Sequence, residues 1–198
     1  MRALTWLALR GCLYPFWSRV YRFLAEHRHL DKRLPPFSSM DQVKEMVGAM
    51  RWRRDTWLML WDAISHPVAT YTRHQAGRKA GDCDDISLVA AQAIKNMSDS
   101  GAVDDVVEVG LLSVPWIGRD GIGGHNVCVL RVFQEGSSRS RWMHMSNWAN
   151  GAMFGPFDTL EDVVRDVLDD RISLGWAYWS TDLKLKRYGS GKTIGRQR

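Results

Sequence analysis

Cysteine is scarce in this chain of 198 residues: there are three, at positions 12, 83 and 128, an odd number with no short repeating spacing. That excludes a disulfide framework of the sort that holds small secreted domains together. It points to a reducing compartment, or to a thiol kept for chemistry. Long apolar runs are also missing. No stretch approaches the ~20 residues that span a bilayer, and the apolar start from Ala3 to Leu9 is cut by Arg10, so a cleaved secretory signal is not expected. Internal repeats are absent. What is present is an ordinary balance for a soluble folded protein, 45% hydrophobic and 25% charged residues, enough for one core with small appendages.

The net charge of +5 conceals an uneven distribution. Residues 1–54 carry 11 basic and 4 acidic side chains, residues 55–183 carry 10 and 18, and residues 184–198 carry 6 and none. An acidic body between basic ends suits a polyanion or an acidic protein surface as partner, or the ends are solvated tails.

Several elements are legible. Phe16, Val20, Phe23 and Leu24 fall on one helical face with Arg19 and Arg22 off it, an amphipathic helix suited to docking on its own domain, a partner or a membrane surface. Pro35 and Pro36 break the chain, and Ser39 with Gln42 opens a capping-box helix. That helix is expected to keep Val43, Val47, Met50, Trp57, Trp61 and Ile64 near one face and to close at Pro67. "VDDVVEVGLLSVPW" reads as a strand, and "GGHNVCVLRVFQEGSSRSRWMHMSNWANG" as a β-hairpin turning near Ser137 and Ser138. "DTLEDVVRDVLDD" reads as a surface helix, and the tail from Lys184 as flexible. Helices followed by strands make an α+β fold.

The stretch "KAGDCDDISLVAAQAIKN" places Cys83 inside a knot of aspartates where an apolar-periodic run begins. Asp82 is a good N-cap, so the helix begins at Cys83 and its sulfur lies beside unsatisfied N–H groups and the positive end of the macrodipole. That environment favours thiolate. Asp82, Asp84 and Asp85 oppose it, so a cationic partner is needed. His125 can be that partner: it follows the flexible "GIGG" and opens a strand on which Val127 and Val129 share its face while Asn126, Cys128 and Leu130 share the other. The hairpin brings Asn147 near the residues just after His125. A thiol, an imidazole and a carboxamide then converge as nucleophile, base and orienting group.

On "GDCDD" at a helix start, "GGHNVCVLRV" on a strand and "SNWANG" on the next, residues 50–170 resemble the transglutaminase-like superfamily of papain-type cysteine enzymes, including its bacterial and phage branch. The resemblance implies a papain/transglutaminase-like core, a catalytic-Cys helix packed on an antiparallel sheet. It implies Cys83 as nucleophile, His125 as general base and Asn147 as orienting residue, where many members carry Asp. The expected reaction is hydrolysis or amine transfer at a peptide or amide bond through a thioester, in a phage-encoded protein, intracellular or virion-associated. The Cys83 backbone N–H is one expected oxyanion donor. Gln75 and Trp57 are candidates for a second, with Asp82 as support. The chain then divides into a basic helical segment (1–38), the enzyme domain (39–183) and a basic tail (184–198).

His144 is a competing histidine, less suited by its strand position. No cofactor or metal is expected: His125 and Cys128, three apart on a strand, point to opposite faces, and the aspartate knot lacks the spacing of a calcium loop. The alternative function is a non-catalytic virion structural or adaptor protein on the same fold. A nucleic-acid module is weaker, since no binding motif accompanies the basic residues.

Overall fold

The computed structural model describes residues 33–53, 64–119, 121–134, 136 and 138–195. The amphipathic segment expected at residues 16–24, with Trp57 and Trp61, lies outside them.

Among the described residues three helices precede the sheet: α1 (Met40–Ala49), α2 (Pro67–Gln75) and α3 (Cys83–Asp99). Ser39 caps α1 by accepting from the Gln42 amide, while the Gln42 carboxamide accepts from the Ser38 N–H, so the capping motif is used with its return bond shifted by one residue. The expected long helix does not continue, because α1 ends at Ala49. Pro67 opens α2 instead of closing a helix: with φ preset and no N–H to satisfy, proline is well suited to a first helical position.

Six strands follow: β1 (Val106–Gly118), β2 (Gly121–Phe133), β3 (Ser140–Met145), β4 (Met153–Phe157), β5 (Ile172–Ser180) and β6 (Leu185–Ile194). They form one antiparallel sheet in the order β4-β3-β2-β1-β5-β6, with α4 (Leu160–Leu168) between β4 and β5 in the chain. The architecture is mixed helix and sheet, as the α+β expectation has it in its general form. The tail expected to be flexible is, from Leu185 to Ile194, the edge strand β6 hydrogen-bonded to β5.

Period-two alternation divides the sheet between two cores. Leu111, Cys128, Leu130 and Met145 pack with Ile86, Ala90, Ala93, Ile94 and Met97 of α3 and with Val43 and Val47 of α1. Leu112, Val114, Val127, Val129, Trp142 and Tyr178 pack on the opposite face with Leu160, Val163, Val164, Val167 and Leu168 of α4. Each fully buried aliphatic side chain contributes about 1.5–3 kcal/mol by leaving water. Among the described residues no helix is long and apolar enough to cross a membrane.

Candidate functional site

α3 begins at Cys83, as the aspartate-flanked start of its apolar period requires. Asp82 occupies the N-cap position, yet its side chain makes no capping hydrogen bond. The knot of aspartates is not left exposed. Asp84 and Asp85 are buried, the Asp84 carboxylate accepts from the Asp85 N–H at 3.0 Å, and the Asp85 carboxylate accepts from the Ser65 N–H at 2.6 Å. Arg73 of α2 reaches Asp85 at 3.4 Å and donates to the Ala80 carbonyl at 2.7 Å. A cation therefore stands beside the aspartates, and it is Arg73. The carboxylate oxygens of Asp82, Asp84 and Asp85 lie within 4.8 Å of one another, but Asp85 is committed to Ser65 and Arg73.

Cys83 is half-buried, and its sulfur meets the sheet at Asn126 of β2, whose Nδ2 lies 3.9 Å from Sγ. Asn126 is held by two serines. Its Oδ1 accepts from Ser113 Oγ at 2.5 Å, its backbone carbonyl accepts from Ser87 Oγ of α3 at 2.9 Å, and its Cα partner across the ladder is Ser113. The α3 start and the beginning of β2 are thus joined through Asn126, which sequence reasoning placed on the strand without a role. Its alternation with Cys128, a core residue under α3, was the available signal.

His125, one residue earlier, is 2% exposed. Its Nε2 is 2.8 Å from Ser146 Oγ and its ring stacks on Trp148, centroids 3.7 Å apart and planes 10° from parallel. Trp148 is 54% exposed and meets Trp116 edge-on, and Arg171 lies over Trp116. Burial, with His144 and Arg171 adding positive charge, pushes the imidazole down from 6.5 to about 3, so it is neutral near pH 7. It cannot supply the cation expected beside Cys83. Ser146 Oγ also accepts from the Trp148 N–H at 3.2 Å. If Nε2 carries the ring proton, Ser146 accepts from it as well, and Nδ1 is a buried acceptor with no hydrogen-bond partner among the described residues.

Asn147 does not meet the imidazole; Ser146 does. Asn147 opens a 3-10 turn (Asn147–Ala149) after β3, with its Oδ1 buried and without a hydrogen-bond partner among the described residues. Gln75 is at the exposed end of α2, beside Phe37, Gln42 and Tyr71, in a shallow groove. His144 is committed elsewhere: its Nε2 is 2.9 Å from Asp166 of α4, between the rings of Phe154 and Phe157.

The structure therefore brings Cys83 to Asn126, and His125 to Ser146 and Trp148, at one end of β2. The alternation of β2 aligns His125 with Val127 and Val129, the row under α4, while Asn126 and Cys128 belong to the row under α3. A thiol at a helix start and a neutral imidazole whose Nδ1 has no hydrogen-bond partner among the described residues are the chemical groups on offer. Compared with known proteins, the chain matches no family model, no curated protein and no solved structure.

Proposed function

We propose that the chain is a cysteine-nucleophile enzyme of the papain/transglutaminase type, acting on peptide or amide carbonyls through a thioester on Cys83. The observation that carries this is the placement of Cys83 Sγ at the N-terminus of α3 against Asn126, the residue adjoining a buried His125 whose Nδ1 has no hydrogen-bond partner among the described residues. Sγ attacks the carbonyl carbon as the thiolate. The departing amine takes the proton that the thiol gave up as the C–N bond breaks, and His125, which adjoins Asn126 but faces the α4 row, is assigned only the transfer of that proton to the amine. Water, or a second amine, then cleaves the thioester and restores the thiol. A nitrogen whose affinity for protons is depressed gives a proton readily to the amine and takes one poorly from the thiol. Acidity of Cys83 must then come from the helix start and the groups that touch the sulfur.

A peptide p-nitroanilide or fluorogenic amide library tests the reaction. Turnover that Cys83→Ser abolishes supports it; turnover unchanged by Cys83→Ser, or none with any amide, contradicts it. A non-catalytic binding role on the same fold is favoured by one observation, the alignment of His125 with the α4-facing row while Cys83 meets the α3-facing one. On that role, His125→Ala leaves the reactivity of the protein unaltered.

A further inference from the structure

We propose that Asn126 is a positioning residue for Cys83: its amide N–H donates to the sulfur and holds it as thiolate. The inference rests on the reading above only in taking Cys83 as the nucleophile. An asparagine can present either its oxygen or its nitrogen to a neighbour, and here the choice is made by Ser113. The Ser113 hydroxyl donates to Oδ1 at 2.5 Å, which fixes the oxygen on the β1 side and turns Nδ2 toward Sγ at 3.9 Å. A bond from Ser87 of α3 to the Asn126 carbonyl prevents strand and helix from sliding apart. With 1% exposure, the amide is shielded from bulk solvent. A donor aimed at a sulfur favours its anionic form, because hydrogen bonds to charged acceptors are stronger than those to neutral ones.

Among the described residues, the charged groups packed around the α3 start include Asp82, Asp84 and Asp85 on its own first turn and Arg73 from α2. The aspartates oppose the thiolate, and Arg73 offsets Asp85. On β2 the neighbouring imidazole is neutral near pH 7 and contributes no charge. Asn126 supplies what the sequence-derived scheme assigned to a cation: a stabilising contact that needs no net charge.

The test is the pH dependence of Cys83 alkylation by iodoacetamide, followed by mass spectrometry on the full chain. Asn126→Ala and Ser113→Ala are each expected to raise the midpoint of the rate profile, Asn126→Ala by about one pH unit and Ser113→Ala by less. Rates should converge with the wild type once every form is thiolate. A merely structural asparagine would change the plateau or the melting temperature without moving the midpoint. If Asn126→Ala does not fold, Ser113→Ala decides, because it frees the amide to rotate while leaving it in place. An unmoved midpoint in the folded variants overturns the proposal, whether or not amide turnover is found. A moved midpoint in a protein without amide turnover supports Asn126 and counts against the enzyme.

Discussion

A buried imidazole neutral near pH 7 and a thiol at a helix start divide the chemistry unequally between His125 and Cys83. If His125 transfers the proton to the leaving amine, His125→Ala lowers amide turnover by about 10²–10⁴-fold while leaving the midpoint of Cys83 alkylation in place. Stopped-flow turnover and the alkylation profile together check this. Cys128 provides an internal contrast: complete burial pushes its thiol up to about 12. In the native protein at pH 7.5 iodoacetamide is therefore expected to label Cys83 and spare Cys128, as peptide mapping would show. The helix start at Cys83 was legible in the sequence because its signals are local, an aspartate before and an apolar period after. Ser146 was not, although it holds the imidazole. Which of two adjacent residues, Ser146 or Asn147, faces a ring on the neighbouring strand depends on where β3 ends, and the 3-10 turn starts one residue earlier than an unbroken strand would allow. Arg73 was hidden for the same reason, since nothing near it in sequence points to Asp85.

At the level of elements, the segment after β3 is positioned by its fit against α1. Gly151 has φ +76°, and a Cβ there would collide with the Lys44 carbonyl and the Gly48 amide of α1. Gly151→Ala is expected to destabilise the fold by more than about 1 kcal/mol, seen as a lower urea midpoint. It should also disturb Trp148, whose indole covers His125, so a fluorescence change at constant secondary structure is expected alongside. In α3, Ile94 is fully buried, and Ile94→Ala should cost about 2–5 kcal/mol, measured by the same titration. The helix α4 could be read from its Thr159 cap and five spaced apolar residues, all now buried under the sheet. β6 could not. Leu185, Tyr188 and Ile194 are exposed and follow no two-residue period, so the strand exists through its backbone pairing to β5 rather than through an apolar face. Pro67 misled for a related reason: a proline marks a helix boundary equally well from either side.

For the whole molecule, the central strands carry a core on each face, and global unfolding releases both cores together with His125. Burial first, and the charges of His144 and Arg171 after it, push that imidazole down to about 3 in the fold from its ordinary 6.5. Between those pH values the unfolded chain binds the proton and the folded chain does not. Stability is therefore whole above about pH 6.5 and falls as the pH drops toward 3, with a slope from this group of about 1.4 kcal/mol per pH unit. Urea titrations from pH 7 to pH 4 should show that slope, and His125→Gln should flatten it. The two-core arrangement follows from the near-continuous apolar runs of β1 and β2, which supply side chains to both faces, but which core each row joins is set by which face α3 and α4 each cover. The central claim is most directly tested by the pre-steady-state acylation of Cys83 with an activated peptide ester, read by intact mass in wild type and His125→Ala. One acyl group on Cys83, followed by its release to water or amine at a rate at least 100-fold slower in His125→Ala, is the predicted result. Acylation and release at equal rates in both proteins, or an acyl group placed elsewhere, would contradict it.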